Sequence, residues 1–144
     1  MQKKQILVVC IANYCRSPVA SEILKNRFRD KYTISSAGTI QYAETGMDPR
    51  SHEYLKSFID KIEFHQPRMI TLSMIRSCDL VYAIDFDVLM HLNKLFPGER
   101  NKFQLFKIKD EDLILSDPFH MNKKHYLDIM EKIKRTAEKI NLDI

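Results

Sequence analysis

Ile6-Leu-Val-Val-Cys-Ile-Ala-Asn-Tyr-Cys-Arg-Ser-Pro-Val-Ala-Ser-Glu-Ile-Leu24 decides how the rest of the chain is read. The apolar run Ile6 to Val9 stops at Cys10; Arg16, Ser17 and Pro18 follow, and helical spacing begins. This is a strand, a phosphate-sized loop and a helix start, with a thiol at the loop's mouth. A loop closing onto a helix N-terminus aims several N–H groups at one point, where the helix dipole adds partial positive charge. Such a cradle suits a dianionic phosphoryl group and favours thiolate over thiol. Arg16 adds a planar fork for two oxygens, which the point charge of a lysine would not reproduce. Ser17 suits the N-cap and Pro18 the first helical position; alternatively, the Ser17 hydroxyl holds Cys10 as thiolate or assists its departure. These residue types imply nucleophilic attack on a phosphate ester, with Cys10 as nucleophile, Arg16 as clamp and Ile11 to Cys15 as the cradle.

Outward from this stretch, strands and helices alternate. Strands are expected at Gln5 to Cys10, Lys31 to Ser35, Leu80 to Ile84 and Lys102 to Ile108. Pro18 to Arg29 has Val19, Ala20, Ile23, Leu24 and Phe28 on one helical face. Asp48 and Pro49 read as N-cap and first-turn residue of a helix that turns Tyr54, Leu55, Phe58 and Ile59 inward. Thr71 to Ser77 and Phe86 to Leu95 are shorter helices, the latter stopped by Pro97-Gly98. Lys123 to Ile140 is a long helix with Tyr126, Ile129, Met130, Ile133, Ala137 and Ile140 on one face. Four strands and five helices in this order imply an α/β fold of three layers, a four-stranded parallel sheet with helices on both faces. Ligands of such sheets lie beyond the strands' carboxyl ends, and Cys10 sits at one. No repeat, linker or low-complexity stretch interrupts residues 1–144, so a single domain is expected.

The 144 residues are 44% hydrophobic and 29% charged, a composition suited to a globular core. Twenty-three basic against 19 acidic residues leave +4, scattered without an arginine-rich run. This reads as a solvated surface and argues against a nucleic-acid partner. Three cysteines, Cys10, Cys15 and Cys78, make no disulfide framework and fit a reducing cytoplasm. No apolar run reaches the length of a signal peptide or a membrane span, so no membrane insertion is expected.

Cys10-x5-Arg16-Ser17-Pro18, taken with Ser116-Asp117-Pro118-Phe119 far downstream, resembles the low-molecular-weight protein tyrosine phosphatases. The resemblance runs over essentially the whole chain, including Ser36-Ala37-Gly38-Thr39 and Asp48-Pro49, and departs from the family at Ala12, where glycine is usual. It implies hydrolysis of phosphotyrosine in a protein substrate through a cysteinyl-phosphate, with phosphate or another oxyanion in the active site and with no metal or cofactor. Asp117 is implied as the general acid that protonates the departing phenolate and then, as carboxylate, deprotonates the attacking water; such catalysis contributes roughly 10²–10⁴ in rate. Asp-Pro is otherwise ordinary turn chemistry.

The family also implies that Asn13 props the loop open and that His65, in His65-Gln66-Pro67-Arg68, hydrogen-bonds it. Cys15 is implied as a resolving thiol that captures an oxidised Cys10; its other reading is filler inside the loop. Tyr14, Tyr42 and Phe119 are candidate walls for a phosphotyrosine ring or else ordinary packing, and Tyr42 matches a variable aromatic wall of the family. Asp85 is read as a helix N-cap in preference to a rim residue, and Cys78 as core. Asp117-Pro118-Phe119-His120 looks most like bacterial members linked to exopolysaccharide export, whose partner is an autophosphorylating tyrosine kinase.

Other classes fit less well. Arsenate reductases coupled to thioredoxin share the fold and cradle but need two further cysteines, and only Cys78 lies beyond the loop. A module that merely binds phosphotyrosine needs Arg16 but not Cys10 with Asp117. Cys-x4-Cys with an isolated Cys78 matches no common zinc arrangement.

Overall fold

The computed structural model of the chain describes residues 3–109, 111, 115–142 and 144. Its strands are β1 (Lys4–Cys10), β2 (Tyr32–Gly38), β3 (Leu80–Ala83) and β4 (Phe103–Leu105), in the order β2-β1-β3-β4 with every pairing parallel. The α-helices are α1 (Arg16–Phe28), α2 (Pro49–Lys56), α3 (Leu72–Ser77), α4 (Phe86–Leu95) and α5 (Lys123–Lys139), with a short 3-10 turn at Pro97–Lys102.

The sequence explains the layers. A parallel strand covered on both faces is apolar throughout; Ile6 to Cys10 and all of Leu80–Ala83 are buried. From β1 the chain crosses by α1 to β2 on one side, and from β3 it crosses by α4 to β4 on the other. Right-handed crossovers in opposite directions place α1 and α4 on opposite faces. Accordingly α1 packs with α2 and α5, while α4 lies against β3 and β4. The expected inward residues Val19, Ala20, Ile23 and Leu24 on α1 and Tyr126, Ile129, Met130, Ile133 and Ala137 on α5 are buried. Phe28, however, is half-buried, and α2 ends at Lys56, so Ile59 is buried outside the helix and Phe58 is exposed against expectation. The strand order reverses between β1 and β3, which opens the crevice used by ligands in open sheets of this kind. The Cys10 loop rises there.

Of the boundaries that differ from expectation, three have a clear local reason. β2 continues past Ser35 because its register with β1 runs on to the end, pairing Cys10 with Gly38. β4 covers only Phe103–Leu105 and not Lys102 to Ile108, because its ladder partner among the described residues, β3, is itself four residues long. Helix α1 starts at Arg16, with Cys15 as N-cap and Pro18 inside the first turn. The N-cap reading of Ser17 is therefore corrected: its hydroxyl is occupied elsewhere. By contrast α2, α3, α4 and α5 are capped by the side chains of Asp48, Thr71, Asp85 and Asn122.

Candidate active site

Helix α1 has no side-chain cap, so its leading amides, which no intrahelical carbonyl satisfies, are left for a ligand. The loop before it is held in shape by Asn13. This residue has φ 56°, the left-handed region that asparagine tolerates better than most. Ala12 stays outside that region, so an alanine in place of the family's usual glycine meets no backbone conflict.

Asn13 is fully buried and bonded in four directions. Its Nδ2 donates to Ser17 Oγ at 2.8 Å and to Ser36 Oγ at 2.9 Å. Its Oδ1 accepts from Arg68 N at 3.1 Å, and its backbone carbonyl from His65 Nε2 at 2.6 Å. Because Ser17 Oγ accepts from Asn13, its hydroxyl hydrogen is free for Cys10 Sγ, 3.0 Å away. Burial lowers the imidazole of His65 below its ordinary value, against the pull of the Asn13 carbonyl. The neutral ring then donates from Nε2.

Gly38 completes the cradle from outside. A Cβ there would lie 2.5 Å from the carbonyl oxygen of Ile11 and 2.9 Å from backbone atoms of both Ala12 and Asn13. Only glycine lets β2 end so close to the loop. Thr39 N and Ile40 N then donate to the carbonyls of Cys10 and Ile11.

Arg16 is almost completely buried. Its Nη1 donates to Asp85 Oδ2 at 2.5 Å and to the Leu115 carbonyl at 2.6 Å, which among the described contacts leaves Nε and Nη2 as the fork. Asp85 thus has two tasks. Oδ1 caps α4 through Val88 N at 2.8 Å, as expected, while Oδ2 neutralises the buried guanidinium.

A cavity of about 260 Å³ opens above these groups. Cys10, Ile11, Ala12, Tyr14, Cys15 and Arg16 line it from the cradle, and Ile40, Tyr42, Asp117, Phe119 and His120 from the rim. The expected site residues thus converge, with Asn13, Ser17 and His65 behind the cavity rather than in its wall. Tyr14 lies between the other two candidate walls: its ring centroid is 5.0 Å from that of Tyr42 and 6.3 Å from that of Phe119. Asp117 is exposed on the rim, where Oδ1 accepts from Phe119 N at 3.2 Å. Cys15 is buried and its thiol donates to Asp48 Oδ2 at 3.7 Å. Burial pushes that thiol up to about 12, so it stays protonated at neutral pH. Cys78 is buried, as expected for core.

Sequence reasoning missed Gly38, Ile40, Arg50, His120 and the second task of Asp85. Gly38 and Asp85 had visible signals, a glycine at a strand end and an acid at another strand end; His120 closes the Asp117-Pro118-Phe119-His120 stretch, and Ile40 and Arg50 carry no local motif.

A thiol, an arginine fork and uncapped helix amides face one cavity on a parallel sheet of order 2-1-3-4, the arrangement of a site where a cysteine attacks a tetrahedral oxyanion. The model for "Low molecular weight phosphotyrosine protein phosphatase" matches residues 5–143, and the chain belongs to that family. It is 30% identical over 133 residues to the low molecular weight protein-tyrosine-phosphatase Wzb of Salmonella typhi, covering 92% of this chain and 89% of that protein. Among solved structures, a low molecular weight phosphotyrosine phosphatase of Vibrio cholerae O395 superposes with TM-score 0.86 at 26% identity, covering 94% of this chain and 92% of that one. The tyrosine phosphatase Wzb of Escherichia coli K30, solved in complex with sulphate, shares the fold with TM-score 0.86 at 22% identity, over 96% of each chain.

Proposed function

We propose that the chain hydrolyses phosphotyrosine in proteins by the following route. Cys10 Sγ attacks phosphorus while Arg16 and the first amides of α1 hold the phosphoryl oxygens. The phosphorus–oxygen bond to the phenol breaks, and the carboxylic acid of Asp117 gives its proton to the departing oxygen. The resulting carboxylate takes a proton from water as that water attacks the cysteinyl-phosphate; the sulfur–phosphorus bond breaks and inorganic phosphate leaves. The carrying observation is that Cys10, Arg16 and Asp117 line one cavity flanked by Tyr14, Tyr42 and Phe119. A tyrosyl ring is long enough to bring its phosphate to the cradle between such walls, whereas a phosphoserine is too short.

Under the same reading Cys15, in the same cavity wall as Cys10, condenses with a sulfenic acid formed on Cys10 and so guards it against irreversible oxidation. A cytoplasmic location goes with a reactive thiol kept reduced; among the described residues no helix is long and apolar enough to cross a membrane. The partner we favour is a bacterial tyrosine kinase with a phosphorylated tail, on the resemblance of Asp117-Pro118-Phe119-His120.

The test is hydrolysis of an aryl phosphate by the wild type, Cys10→Ser and Asp117→Asn, with and without a chelator. Expected are full activity in chelator, near-complete loss for Cys10→Ser, and a fall of roughly 10²–10⁴ for Asp117→Asn that shrinks as the leaving group improves. Equal rates in the three proteins overturn the proposal. Release of phosphate from a phosphotyrosine peptide but not from its phosphoserine counterpart tests the substrate class.

A further inference from the structure

Asp117 is exposed, and its loop lies beyond the sheet that orders the cradle. Besides the Arg16 bond to the Leu115 carbonyl and the Tyr14 ring packed beside that of Phe119, the side chain that joins the two among the described contacts is that of Arg50, at the start of α2. Its Nη2 donates to the carbonyl of Phe119 at 3.1 Å and its Nη1 to that of Met121 at 3.4 Å. These are backbone atoms of the turn that follows Asp117-Pro118.

The same guanidinium is locked onto Asp48 by Nε to Oδ1 at 3.0 Å and Nη2 to Oδ2 at 2.8 Å, with Arg50 N on Oδ1 at 2.8 Å. Its central carbon lies 4.0 Å from the ring centroid of Tyr126. Asp48 in turn belongs to the cradle's outer wall: its N–H donates to the Tyr14 carbonyl at 2.9 Å, and its carboxylate accepts the Cys15 thiol. Ser51 Oγ adds a bond to the Cys15 carbonyl at 2.9 Å. One rigid fork therefore spans from the cradle to the acid's loop, using donors at fixed angles that a flexible lysine does not offer.

We propose that Arg50 is a positioning residue for proton transfer, holding the loop of Asp117 in register with Cys10 through Asp48. This rests on the phosphatase reading with Asp117 as the acid. Arg50 does not touch the substrate. Its removal frees the carbonyls of Phe119 and Met121, and the carboxyl then spends less time within reach of the departing oxygen. The loss falls where a proton is needed most, on basic leaving groups.

The experiment measures kcat/KM for aryl phosphates ranging from dinitrophenyl to unsubstituted phenyl phosphate, in the wild type, Asp117→Asn, Arg50→Ala, Arg50→Lys and the double variant Arg50→Ala with Asp117→Asn. Expected for Arg50→Ala is a loss of about tenfold on phenyl phosphate and less than about threefold on dinitrophenyl phosphate. The double variant falls no further than Asp117→Asn alone. Arg50→Lys, which keeps a charge beside Asp48 without the fork, shows the same dependence on the leaving group and carries the test if Arg50→Ala does not fold. A loss of equal size across the series, or a further loss on top of Asp117→Asn, overturns the proposal and leaves Arg50 a structural residue. A leaving-group effect absent from Asp117→Asn itself overturns the reading of Asp117 as the acid, and this inference with it.

Discussion

The two arms of the site are built in opposite ways. The cradle is polar yet buried: Asn13, Arg16 and Ser17 are each at most 1% exposed. Among the described residues no buried side-chain nitrogen or oxygen lacks a partner. The loop of Asp117 is exposed, with Phe119 39% accessible, and its described anchors are bonds from Arg50 and Arg16 to backbone carbonyls and the ring of Tyr14 beside Phe119. A buried network costs much unless complete, but when complete it allows one geometry only. That suits the groups that must meet a forming charge without rearranging. In the mechanism we propose, the loop of Asp117 must let a phosphoprotein enter and phosphate leave, so a surface position with few anchors serves it better. Damage to the first arm should therefore remove activity and stability together, while damage to the second should mainly change rate.

Gly38→Ala attacks the first arm most directly. The new methyl has only backbone to displace, within 2.5–2.9 Å, so the cradle itself must move. Overpacking of this kind costs about 1–3 kcal/mol, and a shift of about 1 Å at the phosphoryl site costs activity roughly 10²-fold. Thermal unfolding and kcat/KM should fall together; a stable variant with normal activity refutes the fixed-cradle picture.

Asp85 bears more on stability than on cradle geometry, and it separates two tasks. In Asp85→Ala the guanidinium of Arg16, with its side chain 2% exposed, loses its counter-charge, a loss worth about 3–5 kcal/mol in buried pairs, and α4 loses a cap worth about 1 kcal/mol. In Asp85→Asn the carbonyl oxygen still accepts from Val88 N. The expected outcome is that Asp85→Asn recovers about 1 kcal/mol of denaturant stability relative to Asp85→Ala while both bind inorganic phosphate more weakly than wild type. If the two variants are equally stable, the cap contributes nothing.

What could be read from the chain follows the same division. The strand, loop and helix around Cys10 lie within 19 consecutive residues, and their apolar run, thiol, arginine and Ser-Pro pair are local signals. Ser17 shows where local preference loses: serine is a good N-cap, but a hydroxyl 3.0 Å from a nucleophilic sulfur and fed by Asn13 is held by the tertiary site. β4 was overestimated because apolar residues continue to Phe106 and beyond, whereas ladder length is set by the partner strand. Asp85 with Arg16, 69 positions apart, and Arg50 with Phe119, 69 apart, meet only after the sheet is assembled. Nothing near either arginine in sequence marks the pairing.

On the second arm, Phe119→Ala removes a ring next to Tyr14 and His120. Aromatic pairs contribute about 0.5–1.5 kcal/mol beyond burial, so kcat/KM for a phosphotyrosine peptide should drop roughly two- to tenfold. Unfolding should stay within about 0.5 kcal/mol of wild type, as for other surface changes. A loss of stability as large as that of Gly38→Ala would erase the contrast between the arms.

The smallest effect concerns His65, which supports the cradle from a half-buried position. Burial depresses its folded-state pKa, helped by the charges of Lys25 and Arg68 and opposed by the Asn13 carbonyl. The folded protein therefore binds fewer protons here than the unfolded chain, whose histidine titrates near 6.5. The contribution to stability is complete above that value and disappears as pH falls through the lower, folded value. Acidification from about pH 7.5 to about pH 5 should lower the Tm of the wild type by a few degrees more than that of His65→Gln, because glutamine can still donate to the Asn13 carbonyl but does not titrate. The remaining acid sensitivity of that variant belongs to carboxylates such as Asp48. There burial pushes the pKa up, but the hydrogen bonds and charge of Arg50 outweigh it and hold the group below its ordinary range, so its stabilisation is lost only at lower pH. Parallel Tm profiles in the two proteins would mean that the ring is protonated as easily in the fold as out of it, and that the bond to Asn13 rather than burial governs this corner of the cradle.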